Sequence, residues 1–247
     1  MTDRIDTPTQ LRGLYSTLGH LKQSEEVALA QAHAKDESML EYRVKKDVAT
    51  VAAYPPLHEP LVDQKRKALP ETVDVSHLRS TAEFARALEG GVHAARDRPD
   101  LGFRYLEREV SPLRGGGVER RAMDLLLLSS DGTPILGEFK RGPDSLPYYA
   151  LIQLLVHLVE LSSPAQRERL VPLGVPPETS GAPMDLYLLA YGKPHVTHSE
   201  ASLAATKAIS ERLVQGRKFR DQVRRIAYLH AEPDGDALSF SCEFVAE

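Results

Sequence analysis

The spacing of apolar residues changes twice along the chain. From Thr7 to about Tyr54 they recur at three- and four-residue intervals, as in Leu11, Leu14, Leu18 and Leu21, and Glu37 to Ala53 is rich in good helix formers, so helices are predicted there. The pattern breaks at Tyr54-Pro55-Pro56-Leu57-His58-Glu59-Pro60, followed by the polar Asp63-Gln64-Lys65-Arg66-Lys67 and by Pro70. Prolines remove backbone donors and disfavour helix in the residue before them, as a connector would. A boundary near residue 70 follows: a helical segment with its proline-rich connector over 1–70, and a larger domain over 71–247.

Beyond that boundary a helix is expected from Ser80 to about Ala95, with Ser80 and Glu83 spaced as a capping box and Phe84, Leu88, Val92 and Ala95 on one face. Three strands follow, Phe103 to Val110, Ala122 to Leu128 and Thr133 to Lys140, separated by turns at Gly115-Gly116-Gly117 and Ser130-Asp131-Gly132. Next come an apolar helix from Tyr148 to Leu161, a buried strand from Asp185 to Tyr191, a helix from about Glu200 to Gln215, a second short helix, and closing strands at Arg225 to His230 and Ala237 to Val245. Antiparallel hairpins feeding a crossover helix into another strand predict a mixed α/β sheet flanked by helices, with the N-terminal helical segment added.

Composition narrows the function classes. At 247 residues with 42% hydrophobic positions the chain can bury a sizeable core, and no apolar run reaches the roughly 18 residues of a membrane span. The opening MTDRIDTPTQ lacks a basic, then apolar, leader pattern, so a cytoplasmic protein is expected. A single cysteine, Cys242, excludes an internal disulfide and a cysteine-rich zinc site. The net charge of -4 argues against coating nucleic acid by bulk charge, while leaving room for a local basic surface.

The chemistry concentrates in Met123 to Lys140. Leu125 to Leu128 is a continuous apolar run, so the charged Asp124 at its head belongs where the strand leaves the core. If Ser130-Asp131-Gly132 is a three-residue loop with Gly132 left-handed, Ser129 pairs with Thr133, and counting back sets Asp124 opposite Glu138. Facing carboxylates repel unless a divalent cation or a shared proton offsets the repulsion. Strand alternation puts Glu138 and Lys140 on one face and Phe139 on the other. Oxygen-only ligands at an open site favour Mg²⁺ or Mn²⁺ and leave positions for water and phosphate, which is the chemistry of phosphodiester hydrolysis.

In these residues, an acid on one strand and Glu138-Phe139-Lys140 on the next, the chain resembles the PD-(D/E)XK nuclease superfamily, with its restriction-endonuclease-like fold. Met123 precedes the acid where the signature has proline. The resemblance covers about residues 76 to 192. It implies that Asp124 and Glu138 bind the metal with the Phe139 carbonyl as a further ligand, that Lys140 is the catalytic lysine, and that Gln153 on the following helix is the supporting glutamine. His157 stands one turn later on that helix with its role open, and the acid expected on the first helix is Glu83 or Glu89. The activity implied is Mg²⁺-dependent nuclease action, with DNA the favoured substrate.

A plainer alternative treats Glu138 and Lys140 as an exposed edge-strand ion pair. Another keeps the fold as a catalytically inactive module that binds nucleic acid or a protein partner. Lys207, Arg212, Arg217, Lys218, Arg220, Arg224 and Arg225 form a locally basic stretch that suits either a nucleic-acid backbone or a solvated helix face, and Arg114, Arg120, Arg121 and Arg141 flank the candidate site. His195 and His198, after the buried strand, read as surface histidines, and Cys242 as a small core residue. Gly115-Gly116-Gly117 lacks the Lys-Ser or Lys-Thr of a phosphate-binding loop. The N-terminal leucine spacing permits packing on partner helices, in a homo-oligomer or a larger complex, and no membrane partner is expected.

Overall fold

The computed structural model describes residues 10–36, 39–52, 61–62, 68–111, 122–142, 146–192, 196–216 and 219–247. Most of the proline-rich connector, the Gly115-Gly116-Gly117 turn and Arg114, Arg120, Arg121, His195, Arg217 and Lys218 lie outside the described residues.

Among the described residues three helices come first, α1 (Gln10–Leu18), α2 (Gln23–Lys35) and α3 (Met39–Ala52). There follow α4 (Thr81–Leu88), β1 (Val92–His93), β2 (Phe103–Val110), β3 (Met123–Ser129), β4 (Pro134–Arg141), α5 (Pro147–Glu160), α6 (Pro164–Glu168), β5 (Met184–Tyr191), α7 (Val196–Gln215), β6 (Val223–Asp234) and β7 (Ala237–Ala246). Among the described residues the strands form one 7-stranded sheet in sequence order. Hairpin-type neighbours β1 to β4 are antiparallel, β4, β5 and β6 are parallel through the crossovers α5 and α7, and β7 returns antiparallel on β6. The mixed α/β architecture expected from the element order is therefore the one adopted.

Strand alternation divides the core between the two faces of the sheet. Leu126, Leu136, Leu186 and Leu188 pack with α5 and α7, whereas Leu127, Ile135, Phe139 and Leu189 pack under α4. Phe139 stacks on Phe84 of α4 at 4.2 Å between ring centroids. Leu11, Leu14, Leu18, Ala30, Leu40 and Val44 of the N-terminal helices belong to the same apolar cluster as α5, with α1 and α3 against α5 and α2 along α7. The sheet also curls. Ala95 bridges Phe240, and the Arg96 N–H donates to the Phe240 carbonyl at 2.8 Å, covering the outer edge of β7 that would otherwise offer unpaired backbone.

Three expectations change. The helix begun at Ser80 ends at Leu88, because Gly90 turns the chain with a left-handed φ of 76°; Val92 then starts a short strand and is 78% exposed instead of lying on a helix face. The capping box is half made: Ser80 Oγ accepts the Glu83 N–H, but the Glu83 carboxylate takes the Arg79 N–H. After α7 the described residues form turns whose N–H groups, at Phe219 and Gln222, reach back three residues, so no second short helix follows among them.

Candidate active site at the start of β3 and the end of β4

The β3–β4 turn sets the register. Ser129 N–H donates to the Thr133 carbonyl at 2.9 Å, and Gly132 occupies the left-handed region at φ 83°. Pairing runs from Leu128 opposite Pro134 to Leu125 opposite Gly137. One step further, Asp124 comes across from Glu138. There the backbone ladder gives way: the Asp124 carboxylate accepts the Phe139 N–H at 3.0 Å and lies 3.5 Å from the Thr81 hydroxyl at the start of α4.

Glu138 is 1% exposed. One of its oxygens accepts from Lys140 Nζ at 2.8 Å, and the other, Oε2, is buried with no donor. The Asp124 carboxyl stands close enough to hydrogen-bond Glu138 if one of the pair carries a proton. Burial first, and the charge of Glu138 second, push Asp124 well above the usual carboxylate range, against the pull of Lys140 and the Phe139 N–H. Burial lowers Lys140, yet Glu138 and Asp124 outweigh it and hold the amine above its ordinary value. The resting site thus has two carboxyl groups and one ammonium, with the lysine protonated at neutral pH.

Helix α5 lines the same face of the sheet. Tyr149 places its ring 5.1 Å from Lys140 Nζ. Gln153, one turn on and buried, donates through Nε2 to the Tyr15 hydroxyl at 3.0 Å, leaving Oε1 without a partner. His157 is engaged by Glu160 at 3.3 Å, and Glu160 in turn by Arg12 Nε at 2.9 Å, so this histidine belongs to a buried ion-pair network of α1 and α5. Glu83 and Glu89 are tied to the Arg79 N–H and to Arg86. What α4 brings toward Asp124 is Thr81.

Two contributors come from the N-terminal helices. Tyr15 stacks on Tyr149 at 5.2 Å and 8° between rings, and Glu26, 6% exposed, accepts the Tyr149 N–H at 3.1 Å. Burial pushes the Glu26 carboxyl up to about 7, opposed by the Tyr149 N–H and the charge of Lys140. Nothing local in QSEEVALAQAHAK distinguishes Glu26 from its neighbour Glu25, whose carboxylate caps its own helix at Lys22 N. Tyr149 was open to discovery, since it precedes Gln153 by four residues on one helix face.

Much of the basic stretch after Lys207 is engaged within the molecule. Arg212 donates to the His33 and Ala34 carbonyls at the end of α2. Arg224 grips Asp185 at 2.9 and 2.7 Å, and Arg225 meets Glu247 at 3.1 Å. Lys207, Arg220 and Arg141 are exposed. His198 falls within α7, not in the loop before it. Cys242 is half-buried on β7, its thiol pushed up to about 11 by burial first and by Asp97.

Among the described residues no three His, Cys, Asp or Glu side chains gather as a metal-ligand set, so the side-chain donors at this site are two carboxylates. Comparison with models of known protein families, with curated proteins and with solved structures returns no match. Among the described residues no helix is long and apolar enough to cross a membrane.

Proposed function

We propose that the protein is a metal-dependent nuclease acting on phosphodiester bonds, with DNA as the favoured substrate. One observation carries the reading: Glu138 Oε2 is buried with no donor beside a second carboxyl, while its other oxygen is held by Lys140. Without a cation the two facing acids relieve their repulsion only by keeping a proton between them, and a divalent cation would take the place of that proton and let both carboxylates ionise. The order α4, β2, β3, β4, α5 and then β5 parallel to β4, with α4 and α5 on opposite faces, suits the restriction-endonuclease-like core that the sequence resembles.

Asp124 and Glu138 would hold Mg²⁺ or Mn²⁺, hard cations that accept two carboxylates and fill their remaining positions with the Phe139 carbonyl, water and substrate oxygens. When bound, such a cation polarises the phosphate and lowers the pKa of a coordinated water. Lys140, kept protonated by the two acids, would stabilise charge developing on the phosphoryl oxygens, a role that suits an ammonium better than proton abstraction does. Asp124 is orientated by the Phe139 N–H, and Gln153 offers its free Oε1 as an acceptor on the α5 side.

Cleavage of plasmid, linear and single-stranded DNA, with and without Mg²⁺, tests the proposal with Glu138→Ala and Lys140→Ala. Each substitution is expected to lower the rate by about 10²–10³ or more while a cooperative thermal transition persists. Undiminished Mg²⁺-dependent cleavage by both variants would refute the assignment. A wild-type protein that binds DNA without cutting it would favour the inactive binding module.

A further inference from the structure

We propose that the N-terminal helices are a working part of this site, with Glu26 and Tyr15 acting as positioning residues that hold the site-facing stripe of α5 beside Glu138 and Lys140. The assignment rests on the nuclease reading above.

Helix α5 begins at Pro147, and its N-cap, Leu146, carries no side-chain acceptor for the first-turn N–H groups. Glu26 supplies that acceptor from 123 residues away, taking the Tyr149 N–H at 3.1 Å. A carboxyl there satisfies an orphan donor and, when ionised, complements the positive end of the helix dipole. The Glu26 carboxyl, at about 7, can accept through Oε1 in either protonation state.

One turn along, the Tyr15 hydroxyl takes Gln153 Nε2 while its ring stacks on Tyr149. Two turns beyond Tyr149, His157 is engaged by Glu160, which Arg12 of α1 also binds. Residues 149, 153 and 157, spaced along a single face of α5, are thus each gripped directly or through one residue by α1 and α2. Tyr149 is also the residue whose ring Lys140 lies against, at 5.1 Å. Releasing the grip would let the first turn of α5 fray away from the ammonium, without touching either proposed metal ligand.

The test uses full-length Glu26→Ala, Glu26→Gln and Tyr15→Phe. Amide exchange in the metal-free protein is followed together with Mg²⁺-dependent cleavage well below the melting temperature. Glu26→Ala should speed exchange of the Tyr149 amide by about tenfold or more, with the effect confined to the first turn of α5. It should lower kcat by about tenfold and leave KM within about twofold, because the lost interaction concerns placement of Lys140 and not substrate affinity. Glu26→Gln, which keeps the acceptor, should restore both readouts. Tyr15→Phe, which keeps the stacked ring, should lower kcat with Tyr149 exchange unchanged.

Glu26→Ala with wild-type exchange overturns the docking. Glu26→Ala with wild-type kcat, or Glu26→Gln as impaired as Glu26→Ala, overturns the positioning role. A wild-type protein inert on every substrate, with the exchange pattern as expected, overturns the nuclease reading and the catalytic half of this assignment with it.

Discussion

At the scale of single residues, buried carboxyl groups define the molecule's electrostatics. Glu26 illustrates the consequence for stability. Its carboxyl titrates near 7 in the folded protein against a reference value of 4.5, so the folded state binds its proton more tightly than the unfolded chain does. Stability therefore falls as pH rises from the lower value through the higher one, and the loss is complete above it. Glu26→Gln removes this titration while keeping the acceptor for Tyr149. Urea denaturation across pH 4 to 8 should show the variant gaining on the wild type through that interval, by on the order of 1–3 kcal/mol at the alkaline end; parallel pH profiles would contradict this. The juxtaposition of Asp124 and Glu138 was legible in the sequence because it follows from local counting around a short turn with Gly132. Glu26 and Tyr15 were not, because their contacts with α5 span 123 and 138 residues of sequence and leave no periodic or spacing signal.

At the scale of elements, α5 joins the two halves of the account, since it covers the sheet with its apolar positions and presents Tyr149 and Gln153 with its polar ones. Leu151 is fully buried on it, in the apolar cluster that includes residues of the N-terminal helices and of the sheet. Leu151→Ala should cost about 2–5 kcal/mol in urea denaturation, through lost transfer free energy and the cavity left behind; a cost below about 1 kcal/mol would mean that α5 does not pack as described. Strands β2 to β5 and β7, and α5 itself, were readable to within a residue or two, because alternation and a continuous apolar run leave little choice of element, whereas β6 runs four residues past the expected His230 and β1 was not foreseen. The end of α4 was not. The apolar positions of Val92 and Ala95 continue a helical spacing beyond Leu88, but the left-handed Gly90 overrides it, and the chain turns into β1. The basic stretch after Lys207 likewise gave no sign that Arg212, Arg224 and Arg225 would spend their donors on α2, β5 and the C-terminal residue.

At the scale of the whole molecule, the apolar cluster that unites α1, α3 and α5 makes residues before the connector part of the sheet's own cover. Removing residues 1–70 would expose the outer face of α5, and the truncated protein is expected to lose its cooperative thermal transition; a truncated chain that melts as sharply as the full one would contradict that dependence. That two carboxyl groups at the start of β3 and the end of β4 form a place for a divalent cation is tested most directly by calorimetric titration of Mn²⁺ into the wild type and Glu138→Gln. Saturable binding to the wild type is expected, lost in the variant, whose thermal transition persists. Equal binding to both proteins, or none to the wild type, would contradict it.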